Sequence, residues 1–310
     1  MKSNKIVVLG SSNTDMVVKT ERMPAPGETV LGGTFFMNPG GKGANQAVAA
    51  ARLGGDVTFI AKTGDDLFGR QAVEGYWKEG IRTDRMSVDP GYPSGVALIT
   101  VDATGENSIV VAPGANATLS PDDVEAAREA IEEAGILLMQ LEVPMETVEY
   151  AAEMARKAGT KVVLNPAPAA PLSEILLHNC DLLVPNRTEA EMISGIPVTD
   201  WESAGKAAEI ISGMGVPSVV LTLGADGAFI REGNECHLMP VPEIEAVDTT
   251  AAGDTFCGAL CVALCEGKSL PEAVNLANRA AALTVSRMGA QSAIPYRHEI
   301  EPAPNFQPSL

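Results

Sequence analysis

The sequence predicts an α/β protein built on a mostly parallel central sheet that is doubly covered by helices. Three observations carry this. Short β-rich apolar runs alternate with helical patterns along the chain. Each run is continuously apolar, as in strands buried on both faces, where a half-exposed strand would alternate. And 310 residues with 45% hydrophobic and 20% charged content supply a substantial core. The whole chain, 1–310, reads as a single domain.

In chain order, strands are expected at Ile6–Leu9, Val57–Ala61, Ile136–Leu141, Lys161–Leu164, Leu182–Val184 and Ser218–Leu223. Helices are expected at Ala47–Leu53, Pro121–Glu133, Met145–Lys157, Trp201–Gly213, Gly253–Cys265 and Leu270–Ser286. Ser120-Pro121 and Pro144 are start signals for two of them. Two segments break the alternation. One is Thr29–Met37; the other pairs Val96–Val101 with Asn107–Val111 across Asp102-Ala103-Thr104-Gly105-Glu106, a hairpin. These insertions, near 14–40 and 94–112, predict a small second β-sheet, either an edge meander or an interface. Val30, Leu31, Phe35, Phe36 and Met37 favour the interface. The Pro-rich end, Glu301–Leu310, reads as a loose tail.

A net charge of −18 argues against nucleic acid and anionic membranes, which require clustered Lys and Arg. The most membrane-like stretch, Thr255–Cys265, has about half the ~20 residues a spanning helix needs. Met1-Lys2-Ser3-Asn4-Lys5 leads directly into a strand without the apolar core of a signal peptide, so the cytoplasm is expected. Five cysteines without zinc-type spacing fit a reducing compartment. Cys257, Cys261 and Cys265 fall on one helical stripe; with no His or Cys-x-x-Cys beside them they read as buried small hydrophobes.

Two motifs carry chemistry. Thr249-Thr250-Ala251-Ala252-Gly253-Asp254 runs from a small-residue turn into an apolar helix. Backbone N–H groups of Ala251, Ala252 and Gly253 at a helix start can close on a phosphoryl group, with Asp254 beside it as a base. Asn38-Pro39-Gly40-Gly41-Lys42-Gly43-Ala44-Asn45-Gln46 also opens a helix, and its spacing is neither that of a P-loop nor that of a dinucleotide fold. Either half alone is explained by a glycine turn with a capping residue. Together they resemble the paired signatures of the ribokinase-like (pfkB) carbohydrate kinase family, and the likeness runs from Val7 to about Pro295.

Ligands of open α/β sheets bind at the carboxyl ends of the strands. Those ends carry Asn13 and Asp15, Glu142, Asn165, then Asn186 and Glu189, then Thr222, Gly224, Ala225, Asp226 and Gly227. Asparagine and carboxylate groups beside Gly-rich backbone suit vicinal sugar hydroxyls, which donate and accept together.

The resemblance implies ATP-dependent phosphorylation of D-ribose at its 5-hydroxyl. Alternatives are a kinase for deoxyribose, fructose or adenosine, or a sugar-binding regulator without catalysis. It implies sugar contacts from Asn13, Asp15, Gly41, Lys42, Asn45 and Glu142, with Asp254 as base and the N–H groups of Ala252, Gly253 and Asp254 as anion hole. Asn186 and Glu189 would organise Mg²⁺ through water, and Thr222 to Gly227 with Asn278 would line the nucleotide. A K⁺ site would draw on Asp248, Thr250, Thr284, Arg287 and Gly289, and Asp248 has no other evident partner; Ala293 stands where relatives commonly have Ser, with Ser292 one residue earlier. The resemblance further implies that the small sheet is a lid over the sugar that pairs two subunits as a homodimer.

Overall fold

The computed structural model describes residues 3–300, and the tail expected at Glu301–Leu310 lies outside them. The central sheet has eight strands in the order Glu235–Met239, Ala228–Glu232, Ser218–Thr222, Leu182–Leu183, Lys161–Leu164, Ile136–Met139, Lys5–Leu9, Asp56–Ile60. The six from Ser218–Thr222 onward are parallel, and the two at the other edge pair antiparallel. Along Lys5–Leu9 successive side chains enter different cores. Ile6 and Val8 pack with the helices Lys42–Arg52, Ala252–Cys265 and Leu270–Val285, while Val7 and Leu9 pack with Met145–Ala158 and Trp201–Gly213. All four are buried, which is why the strand reads as an unbroken apolar run.

The expected elements are present with shifted ends. The strand at Ile136 stops at Met139, because the Leu141 N–H leaves the ladder and donates to the Ala167 carbonyl at 2.8 Å. The helix placed at Ala47 begins at Lys42, where a half-buried carboxylate receives its first turn. Pro121–Glu133 is two helices, Pro121–Ala126 and Arg128–Glu133. Ala127 between them has φ −103° and ψ 7°, and its N–H reaches back three residues to Val124. The Ala228–Glu232 and Glu235–Met239 hairpin and the helices Leu67–Lys78, Glu174–Asn179 and Arg187–Ser194 were not foreseen.

A separate four-stranded sheet has the order Thr34–Gly40, Asn13–Lys19, Gly95–Val101, Asn107–Ala112. Its central pair is parallel and its outer pairs are antiparallel. The expected hairpin is there. The other segment is corrected: its strand starts at Thr34, and residues 28–33 form none. Asn13, in register with Gly40 and Gly95, follows Lys5–Leu9 by a short link, so this end of the small sheet meets the carboxyl edge of the large one. Phe35, Met37, Leu98, Ile109, Val110 and Val111 are exposed on it.

Candidate active site

The Lys42–Arg52 helix is held against the first strand by close backbone approach. Gly41 turns the chain at φ 91°, and a Cβ on Gly43 would stand 2.6 Å from the Gly10 carbonyl carbon and the Ser11 nitrogen. At the helix start the Lys42 N–H donates to Glu142 Oε2 at 2.9 Å, and Ser11 Oγ donates to the same oxygen at 2.5 Å. The Gly43 N–H donates to Ser11 Oγ at 3.3 Å. A carboxylate thus sits on the positive end of a helix, where its charge is favoured.

The next turn reaches the second motif. Asn45 Nδ2 donates to Asp254 Oδ2 at 2.9 Å and Gln46 Nε2 donates to Asp254 Oδ1 at 3.0 Å. Asp254 belongs to the first turn of Ala252–Cys265, preceded by Ala251 at φ 60° and ψ 8°. A left-handed alanine costs roughly 1 kcal/mol, a strain of the kind that collects at functional turns. The Ala252 N–H, the first of the three expected anion-hole donors, meets the Thr249 carbonyl at 3.3 Å. The N–H groups of Gly253 and Asp254 have no acceptor among the described residues, and they open on a cleft lined by Lys42, Asn165, Asn186, Glu189, Thr222 and Cys257.

Three carboxylates surround one ammonium here, with Asp15 beside two of them. Burial works against the Lys42 charge, but Asp254, Glu142 and Glu189 outweigh it, and the ammonium holds its proton more tightly than usual. Burial raises Asp254 above the ordinary carboxylate range, while Lys42 and the amides of Gln46 and Asn45 pull the other way. Asp15 is pushed up to about 6 by burial, with Glu142 and Asp254 adding to it. Glu189 is raised, again chiefly by burial. A buried carboxylate poised upward beside unpaired N–H groups is equipped to take a proton next to a bound anion.

Asp15, Lys42, Asn45 and Glu142 therefore gather around Asp254, while Asn13, on the same strand of the small sheet as Asp15, lines a neighbouring pocket with Gln291. Asn13 is fixed by Asn116, whose Nδ2 donates to Asn13 Oδ1 at 2.8 Å. Of the residues expected at the nucleotide, Asn186, Glu189 and Thr222 line the cleft. Gly224, Ala225, Asp226 and Gly227 lie outside its lining; Asp226 pairs with Arg187, and Gly227 turns at φ 90°. Asn278 is spent on the carbonyls of Met239 and Pro240, both at 3.2 Å.

Asp248 does have partners. Its Oδ1 accepts from the Thr250 N–H at 2.9 Å and the Thr250 hydroxyl at 2.6 Å, and its Oδ2 accepts from the Gly289 N–H at 2.9 Å. The Thr284 hydroxyl bonds Thr255 and Ala280, and Arg287 pairs with Glu299. The main-chain oxygens of Asp248 and Thr250 accept nothing among the described residues. Gln46, Ser11 and Asn116 take part in the site without having been assigned to it from sequence. Only Gln46 carried a signal, its place beside Asn45 in the glycine motif.

The sequence signature of the pfkB family carbohydrate kinases matches residues 3–297. The chain belongs to this family. Among pfkB relatives, a ribokinase of Haemophilus influenzae is 46% identical over 294 residues, covering 95% of this chain and 96% of its own. A deoxyribokinase of Salmonella typhi is 38% identical over 294 residues, with 94% and 95% covered. The structure of an Arabidopsis thaliana ribokinase complexed with ribose and ATP superposes with a TM-score of 0.90 at 34% identity, covering 96% of this chain and 97% of that one.

Proposed function

We propose that this kinase transfers the γ-phosphoryl group of ATP to the 5-hydroxyl of D-ribose. The observation that carries the reading is the Asp254 junction: a buried, clamped carboxylate in the same helical turn as two unpaired N–H groups. The hydroxyl oxygen attacks the γ-phosphorus, its proton passes to an Asp254 carboxylate oxygen, and ADP leaves. The Gly253 and Asp254 N–H groups receive the charge on the transferring phosphoryl oxygens. Asn13, Asp15, Gly41, Lys42, Asn45 and Glu142 present donors and acceptors for the sugar hydroxyls. Positioning and charge supply most of the rate, and the base adds about 10²- to 10⁴-fold.

Glu189 has each oxygen committed once, to the Asn186 N–H and Nδ2 at 2.8 Å, and faces the cleft with spare lone pairs. Such a sparse oxygen set fits Mg²⁺ held through water by Asn186 and Glu189. Mg²⁺ would neutralise phosphate charge. The free carbonyls of Asp248 and Thr250 suit K⁺, with Thr284 contributing from the facing helix end and Arg287 and Gly289 from the loop after it. The small sheet, with its exposed apolar face, acts as the lid and pairs two subunits, and the cytoplasm is the compartment proposed. Among the described residues no helix is long and apolar enough to cross a membrane.

A phosphorylation panel with ATP and Mg²⁺ over ribose, deoxyribose, fructose and adenosine tests the assignment. Ribose is expected to give the highest kcat/KM, with phosphate on the 5-oxygen. Preference for deoxyribose would move the assignment to the second reading, which the deoxyribokinase likeness favours.

A further inference from the structure

Each oxygen of Asp254 receives one side-chain amide, and each of those amides is itself aimed by a glutamine behind it. A carboxylate only accepts, so Gln46 must turn its Nε2 toward Asp254 and its Oε1 away. That Oε1 accepts from Gln140 Nε2 at 2.6 Å, while Gln46 Nε2 also meets Asn165 Oδ1 at 3.0 Å. Asn165 Nδ2 in turn donates to the Val184 carbonyl at 2.9 Å. On the other oxygen, Asn45 Oδ1 accepts from Gln291 Nε2 at 3.2 Å. Gln46 and Gln140 are completely buried.

The relay has a visible cost. Gln140 can donate to Gln46 only by leaving its own Oε1 buried with no partner, and that oxygen is one of four buried side-chain atoms without one among the described residues. Buried polar groups are nearly always paired, so an orphan facing the backbone of Gly10 calls for an explanation outside stability. Gln140 does not reach the cleft lining, nor does Gln46. Their link to the chemistry runs through Asp254.

We propose that Gln46, oriented by Gln140, is a positioning residue that fixes the rotamer of Asp254 and keeps its carboxylate ionised in its buried position. This rests on the reading of Asp254 as the base. The charged or titratable groups facing Asp254 are Lys42 on the partner helix, Glu142 beyond the Ile136–Met139 strand, Asp15 on the small sheet, Glu189 across the cleft and Cys257 on its own helix. Lys42 favours the ionised form and the three carboxylates oppose it, so the amide N–H groups act on the same side as Lys42.

The test is the pH profile of kcat in Gln46→Met and in the isosteric Gln46→Glu, with Gln140→Met and the Gln46→Met/Gln140→Met pair. Losing one hydrogen bond to a charged group changes proton affinity by roughly tenfold, so the acidic limb of kcat is expected to move up by about one pH unit in Gln46→Met. Gln46→Glu, which keeps the volume but loses the donor, is expected to move it further. KM for ATP stays unchanged while kcat at pH values below the limb falls about 10-fold. Gln140→Met shifts the limb the same way by less, and the double variant adds nothing beyond Gln46→Met. An unchanged limb in Gln46→Glu, or additive shifts in the double variant, overturns the relay. Asp254→Asn run alongside separates the two ideas: if it is inactive while the glutamine variants behave as wild type, only the relay fails. If Asp254→Asn turns over normally, the base assignment fails with it.

Discussion

Gly258 stands one turn beyond Asp254, where the Ala252–Cys265 helix crosses Lys42–Arg52, and Gly258→Ala is expected to damage stability and catalysis together. In an exposed helix the change would stabilise by about 1 kcal/mol, because glycine is the poorer helix former. Here a Cβ would meet Ala49 Cβ at 2.7 Å and the Ala50 nitrogen and Gln46 carbonyl oxygen at 2.8 Å. Those partners are a packed methyl and backbone, which cannot swing aside. Reaching ordinary contact at 3.4 Å demands that the helices part by about 0.7 Å. Overpacking of this kind costs about 1–3 kcal/mol, which matches or exceeds the propensity gain. The net loss of up to about 2 kcal/mol corresponds to a Tm lower by up to roughly 3 °C.

The same displacement stretches the Asn45 and Gln46 bonds to Asp254, now 2.9 and 3.0 Å, beyond the useful range of about 3.5 Å. Since a misplacement near 1 Å can cost about 10²-fold, kcat is expected to fall at least about tenfold. Thermal unfolding and steady-state kinetics with saturating ATP read both effects. A Gly258→Ala protein with an unchanged or higher Tm and unaltered kcat would refute the helix contact as the device that holds the base.

Asp254→Asn should fold and bind ATP while losing about 10²-fold or more in kcat; single-turnover kinetics check this, and near-normal turnover contradicts it. Asp15, at about 6 when folded against 3.8 ordinarily, binds more protons in the folded state between those values, so its contribution to stability falls as pH rises from about 4 to about 6. Asp15→Asn should therefore gain stability relative to wild type at pH 7 and lose that advantage below pH 4, measured by denaturant unfolding; its ribose KM should rise at pH 7. For the monovalent cation, replacing a large organic cation by K⁺ at constant ionic strength should raise activity, because ordering the Thr249–Gly253 turn aims its N–H groups. Asp248→Ala, which cuts the tie from Thr250 to Gly289, should flatten that response, and equal activity in both cations removes the K⁺ reading.

By itself the sequence determined what local pattern and residue chemistry dictate. The parallel sheet was legible because strands buried on both faces must be apolar at every position, as Ile6–Leu9 is. The two glycine turns were legible because only small residues let backbone close on a ligand or another helix. Tertiary structure alone decided which groups meet. Asp254 and Asn45 are 209 residues apart and Glu142 and Ser11 are 131 apart, and no periodicity encodes such pairings. Gln140 and Gln291 carried no signal, since a glutamine is as common on a solvated surface as in a core, and its partner is set only when two helices and a strand end close around it. Asp248 misled partly for the same reason: besides the nearby Thr250, it accepts from Gly289, which donates through its backbone and so has no residue-type signature.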